Sequence, residues 1–260
     1  MILYPNAKIN IGLNVIEKRV DGFHNLETLF YPVEAYDILE IVESDTLKMF
    51  QYGIDYPGEV MDNLCVRAYN LLKSEYNIPP VEIHLYKRIP VGAGLGGGSS
   101  DAAFTLKGLN DLFNLSIPDK KLWEYASMLG SDCPFFIYNK PMLGTGRGEI
   151  LSEVEITDLS DYRIELVYPP YFVSTADAYR GIVPRNVREL NGEKFKGQSL
   201  VEMLKEPVES WKDNVTNDFE ITVFNKIPEL AKYKEDLYKR GAVYASMSGS
   251  GSAMFGVFKC

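Results

Sequence analysis

The segment Ile89-Pro-Val-Gly-Ala-Gly-Leu-Gly-Gly-Gly-Ser-Ser-Asp-Ala-Ala103 constrains this chain more than any other. Five glycines lie between Gly92 and Gly98, and two hydroxyls follow at Ser99 and Ser100. Ala102, Ala103, Leu106, Leu109, Leu112 and Phe113 then recur at helical spacing. A backbone without Cβ atoms can turn sharply and approach a ligand closely. The first turn of a helix offers unpaired N–H groups and a partial positive charge. Together these read as a cradle for phosphate.

Several phosphate loops share part of this pattern. Gly92, Gly94 and Gly97 satisfy GxGxxG, a weak signal by itself. The preceding segment, Val81–Lys87, alternates apolar residues with Glu82, His84 and Tyr86, unlike the doubly apolar strand of a dinucleotide fold. No acidic strand end follows at the ribose-binding distance. Gly98 stands where a Walker loop needs Lys, and no HRD or DFG follows. A flexible linker would not close on two serines and an amphipathic helix.

With 260 residues, 46% hydrophobic and 24% charged, the chain can bury a full core. A net charge of -9 argues against a nucleic-acid backbone partner. Cys65, Cys133 and Cys260 are scattered, and with two histidines no metal-ligand set is apparent, so inert thiols in a reducing compartment are expected. The start, Met1-Ile-Leu-Tyr-Pro5, does not read as a signal peptide, and no apolar run is long enough for a bilayer. A cytoplasmic protein without a membrane partner is expected, as a monomer or weak homodimer.

Along the chain, Ala7–Val15 alternates as a half-buried strand, with Lys8, Asn10, Gly12 and Asn14 on its polar face. Strands are also predicted at 26–33, 36–42, 46–51, 142–143, 149–156, 162–168, 242–247 and 252–258. Asp62 is placed to cap a helix ending near Tyr76. Another helix runs from Pro118 to a stop at Gly130. Helices are predicted over 176–181, 199–205, 217–225 and 228–240, and Pro184–Gln198 reads as a polar surface loop. An α+β fold with a division into residues 1–153 and 154–260 follows.

The run Pro90-x-Gly-x-Gly-Leu-Gly-Gly-Gly-Ser-Ser100 resembles the phosphate loop of the GHMP kinases, and two further motifs of that family look present in order, Ala7-Lys-Ile-Asn10 and Ser246-Met-Ser-Gly-Ser-Gly251. Asp21-Gly-Phe-His24, Leu26-Glu-Thr-Leu-Phe30, Asp62-Asn-Leu64 and Gly130-Ser-Asp-Cys-Pro-Phe-Phe136 are similar to the branch whose acceptor alcohol carries a cytidyl diphosphate. The resemblance covers residues 7 to about 258. It implies a two-domain GHMP kinase fold, with a ribosomal-protein-S5-like N-terminal half, a ferredoxin-like C-terminal half and the active site in the cleft between them. It also implies transfer of the ATP γ-phosphate, with Mg²⁺, to a small cytidyl acceptor in non-mevalonate isoprenoid synthesis. Kinases for homoserine or mevalonate, and a non-catalytic nucleotide sensor, remain alternatives.

By that resemblance Asp132 is the catalytic base and Lys8 its partner, whereas read alone Asp132 is a turn or cap residue and Lys8 a solvated strand lysine. ATP contacts are implied for Asn63, Leu64, Lys87, Pro90, Val91, Gly92, Ala93, Gly94, Leu95, Gly96, Gly97, Gly98, Ser99, Ser100 and Asp101. Ser99 and Ser100 equally suit helix capping, and Asp101 a cap, the nucleotide or the metal. The acceptor is implied to meet Asn10, Phe23, His24, Thr175 and Tyr179, with Phe23 and Tyr179 stacking on cytosine and His24 hydrogen-bonding it. Relatives often carry Tyr at the Phe23 position. No metal cage built only of protein side chains is expected.

Overall fold

The computed structural model describes residues 1–55, 58–191 and 199–260, which form two compact units. One comprises Met1–Lys8, Pro32–Val91 and Gly96–Lys140; the other comprises Ile9–Tyr31, Gly92–Leu95 and Pro141–Cys260. The chain therefore crosses between units inside its long strands Asn6–Lys18 and His24–Tyr36, and again within the glycine loop.

In the first unit the strands order as Ile2–Leu3, Ile38–Glu43, Val81–Lys87 and Lys48–Gly53. All neighbours are antiparallel except the last pair, which is parallel. The period-2 pattern seen in the sequence sets the inner face, where Leu39, Ile41, Val81, Ile83 and Leu85 are completely buried. Helices Leu64–Tyr76, Gly97–Leu112, Asp119–Leu129 and Cys133–Tyr138 pack together in this unit. Leu106 and Leu109 of the glycine-loop helix are fully buried, each contributing about 1.5–3 kcal/mol of transfer free energy.

The second unit holds a sheet ordered Asn6–Lys18, His24–Tyr36, Met142–Gly146 and Ile150–Glu153. A three-stranded antiparallel sheet follows the order Tyr244–Met247, Met254–Lys259, Tyr162–Val167. Its core joins Leu13, Val15, Leu26, Phe219, Val223, Leu230 and Phe258. Helices Phe219–Lys226 and Glu229–Lys239 present their buried residues to that cluster.

Four sequence expectations are corrected. The first strand is buried on both faces from Asn6 to Val15, so Lys8, Asn10 and Asn14 are not solvated. Asn63, not Asp62, caps the helix Leu64–Tyr76, accepting from Cys65 N at 2.9 Å, because Asp62 closes a preceding 3₁₀ turn. A helix at Cys133–Tyr138, with Pro134 in its first turn, was not anticipated, since six residues are too few to show a period. The expected polar loop at 184–198 contains the helix Arg185–Leu190, and its residues 192–198 lie outside the described residues. Among the described residues no helix is long and apolar enough to cross a membrane.

Candidate active site

Asp132 stands at the cap position of Cys133–Tyr138, yet its side chain makes no cap hydrogen bond. Its Oδ2 lies 3.5 Å from Lys8 Nζ, the ammonium being 4% exposed and the carboxylate 35%. The strand period places Lys8 and the short helix places Asp132, so two local elements of one unit create the pair. Burial lowers the Lys8 pKa, and the charge and hydrogen bond of Asp132 oppose that shift. Gly96 closes over the lysine stem: at φ +70° a Cβ there would sit 3.2 Å from Lys8 Cε and 3.0 Å from Phe136 Cζ.

Gly96 also occupies the cap position of Gly97–Leu112, with no side-chain cap. No cap side chain therefore accepts from the first-turn N–H groups of that helix. Ser100 is buried and its Oγ has no partner among the described residues. Burial pushes the Cys133 pKa up to about 11, against an opposing effect of Ser99, and keeps the thiol inert at neutral pH.

Lys87 meets Asp101, a buried residue of the loop helix, and both side chains are almost wholly buried. Lys87 Nζ donates to Asp101 Oδ2 at 2.7 Å and also to Asp37 Oδ2. Asp37 Oδ1 accepts the backbone N–H groups of Arg88 and Ile89. Asp101 Oδ1 has no hydrogen-bond partner among the described residues. Burial raises the Asp101 pKa to about 7 against the pull of Lys87, with Asp37 adding to the rise. The two aspartates hold the Lys87 pKa up in spite of burial. The Lys87 ammonium is thus engaged by carboxylates inside the first unit. Asn63 is likewise buried, its Oδ1 taken by the helix cap, while Leu64 is half-buried.

A raised carboxyl pKa favours folding while the group is protonated. That contribution is complete below the unfolded value of 3.8 and is lost as pH rises through about 7. Asp101→Asn should therefore gain stability relative to the parent as pH climbs across this window, read as the difference in Tm between the two proteins. A constant difference from pH 4 to 8 would contradict the cluster as described.

The second unit assembles the remaining motifs. Asn10 N donates to Ser248 Oγ at 3.3 Å, and Ser248 Oγ donates to Gly94 O at 2.9 Å. Gly94 has φ +80°, and a Cβ there would fall 2.0 Å from Ser248 O, so the turn and loop meet backbone to backbone. Asn10 Nδ2 donates to Thr28 Oγ1 at 3.0 Å. The His24 and Tyr179 rings stack at 4.9 Å and 23°. The Arg147 guanidinium lies 4.9 Å above the Phe23 ring. Burial and the Lys18 charge lower the His24 pKa, so its imidazole is neutral at pH 7. Ser174, rather than Thr175, caps the following helix; Thr175 Oγ1 is 3.2 Å from Ser250 Oγ.

Comparison with known proteins places these features in a family. The model of the GHMP kinase N-terminal domain matches residues 63–140, and that of the GHMP kinase C-terminal domain matches 199–259. A 4-diphosphocytidyl-2-C-methyl-D-erythritol kinase of Bacteroides fragilis is 51% identical over 262 residues, covering 99% of this chain and 92% of that protein. The chain belongs to the 4-diphosphocytidyl-2-C-methyl-D-erythritol kinases of the GHMP kinase family. A kinase of the same name from Cytophaga hutchinsonii is 47% identical, covering 99% of this chain and 92% of its own. A crystal structure of a 4-(cytidine 5'-diphospho)-2C-methyl-D-erythritol kinase superposes with a TM-score of 0.80 at 33% identity, covering 99% and 90% of the two chains. The Methanococcus jannaschii mevalonate kinase, at 16% identity and a TM-score of 0.68 over 100% of this chain and 90% of that one, shares the GHMP kinase fold.

Within this GHMP kinase the matched N-terminal segment includes the glycine loop, Lys87 and Asp132, and the C-terminal one includes the turn at Ser248. Sequence reasoning missed Asp37, which fell inside the strand predicted over 36–42, whereas in the structure it lies between His24–Tyr36 and Ile38–Glu43. An acidic residue at a strand junction, 50 positions from the lysine it meets, carries no local signal of that partnership.

Proposed function

We propose that this chain transfers the γ-phosphoryl group of ATP to the 2-hydroxyl of 4-diphosphocytidyl-2-C-methyl-D-erythritol. The observation that carries the mechanism is the Lys8–Asp132 pair under Gly96, in a chain half identical to kinases of that name. Asp132 accepts the proton of the acceptor hydroxyl as its oxygen attacks the γ-phosphorus. The bond from that phosphorus to the β,γ-bridging oxygen breaks, and ADP leaves with the bond pair. Lys8 orients the carboxylate and offsets negative charge gathering at the attacking oxygen. The uncapped turn at Gly97–Ser99 presents backbone donors to the phosphates without adding net charge.

Among the described residues no group of three or more His, Cys, Asp or Glu is placed to hold a metal. Mg²⁺ entering on nucleotide phosphates requires no such cage, because it retains waters and takes few protein oxygens. Ser99 and Ser100, in the first turn of Gly97–Leu112, would be the hydroxyls able to reach it, and it would supply charge that offsets the triphosphate.

For the acceptor, we assign cytosine to the neighbourhood of His24, Tyr179 and Phe23. The His24 and Tyr179 rings already touch, so the base stacks on an outer ring face rather than between these two. A neutral imidazole can both donate and accept along the base edge. ADP release should appear with the cytidyl acceptor and be absent with homoserine or mevalonate. Tyr179→Ala should raise the KM for that acceptor by about 5- to 150-fold, the range expected for one lost stacking contact. Its KM for ATP should stay within about threefold of the parent; an equal rise for both substrates would remove Tyr179 from the acceptor site.

A further inference from the structure

Asn217 was not singled out by any motif, yet all of its carboxamide is engaged. It is 2% exposed and precedes the helix Phe219–Lys226 by two residues. Its Nδ2 donates to Met247 O and to Gly249 O, both at 2.8 Å, and its Oδ1 accepts from Phe219 N at 3.0 Å. The two carbonyls flank Ser248, whose hydroxyl bonds Gly94 O in the phosphate loop. Three residues after Asn217, Glu220 Oε1 accepts from Met247 N at 2.8 Å and from Ser246 Oγ at 3.0 Å. Its Oε2 is held by Lys234 at 2.6 Å.

Asn217 is itself anchored to the first strand. Leu13 N donates to Thr216 O at 2.9 Å, and Asp218 N donates to Leu13 O at 2.8 Å. The segment 216–218 thus pairs in parallel with the strand that carries Asn10, the donor to Ser248 Oγ. A side chain that grips the carbonyls on both sides of one serine sets where its hydroxyl points. A carbonyl oxygen buried without these donors would lose its partner and the turn would relax.

We infer that Asn217 is a positioning residue for the triphosphate of ATP, acting through Ser248 on the carbonyl of Gly94. The inference rests on the kinase reading above and extends it. Asn217 reaches neither nucleotide nor acceptor; it holds the turn that sets the phosphate-loop backbone. Asp at this position keeps the shape and the acceptor to Phe219 but presents carboxylate oxygen to two carbonyls in place of N–H.

The test is ATP binding measured by titration calorimetry without any acceptor, on the full chain, for Asn217→Asp, Asn217→Ala and Ser248→Ala. Val223→Ala serves as a control: it thins the core behind the same helix and should lower Tm, but it removes no hydrogen-bonding group of the relay. We expect the Asn217 variants to bind ATP about 5- to 150-fold more weakly, as follows from donors removed from buried acceptors. Ser248→Ala should weaken binding in the same direction, and the acceptor KM should stay within about twofold throughout. Val223→Ala should lose Tm and keep its ATP affinity. Unchanged affinity in a folded Asn217 variant, or an equal loss in Val223→Ala, would overturn the assignment. If neither Asn217 variant folds, unchanged affinity in Ser248→Ala overturns it and a loss confined to ATP supports it. A parent protein that binds ATP but turns over no cytidyl acceptor would refute the proposed reaction and leave this result standing.

Discussion

Asp132→Asn should lower kcat by about two to four orders of magnitude, the range contributed by a positioned general base. Asn is nearly isosteric, and Asp132 makes no cap hydrogen bond, so the helix Cys133–Tyr138 loses none of its capping. ATP affinity should change by less than about threefold, because the uncapped first turn of Gly97–Leu112 is untouched. The substitution also removes the charge that opposes the burial of Lys8, whose pKa then falls further. Residual activity in the variant should therefore decline at a lower pH than that of the parent. Single-turnover kinetics at saturating ATP and acceptor separate the chemical step from binding. A variant with kcat near the parent value would exclude Asp132 as the base.

Lys87→Met should destabilise the fold by about 3–5 kcal/mol, the usual consequence of removing one partner from a buried ion pair. Asp37 and Asp101 would be left with side chains almost wholly buried and no cation between them. Asp37 retains the N–H groups of Arg88 and Ile89, but Asp101 Oδ1 already lacks a partner among the described residues. Asp101, with its pKa near 7 before the change, would take up a proton to escape the cost. The loss should therefore be larger at pH 8 than at pH 5. Replacing Asp101 by Leu in the same chain should recover part of the stability, since it removes one stranded carboxylate while Asp37 keeps its two backbone donors. Urea unfolding of the three proteins at both pH values measures this. A loss below about 1 kcal/mol at pH 8 would show that the cluster is not held by charge.

Lys8 and Lys87 show how far the chain is legible without its fold. The two-residue period put Lys8 and Asn10 on one strand face correctly, but left that face in solvent. Burial on both sides comes from segments remote in sequence, and no alternation pattern records it. Lys87 reads alone as a strand-end charge, and the resemblance implies an ATP contact for it. In the structure it lies between two aspartates, one 50 and the other 14 positions away. Neither aspartate differs in sequence from a turn residue or a helix cap. The aromatic turn behaves similarly: Phe23 and His24 are adjacent, yet His24 pairs with Tyr179 while Phe23 faces Arg147. Which neighbour turns inward depends on a strand that begins at His24.

What the amino-acid order determined was local chemistry: a glycine run able to take positive φ and lie against other backbone, a helix opening behind it, and alternating strands. Each of these depends on residues within a few positions of one another, so propensity and period suffice to read them. Tertiary structure alone decided the groupings Asp37–Lys87–Asp101 and Asn217–Ser248–Gly94, and it brought together the Lys8–Asp132 pair that the resemblance implied. Those depend on chain reversals that bring distant segments to hydrogen-bond distance. They also depend on burial, which raises the worth of each polar contact and the cost of leaving one unmade.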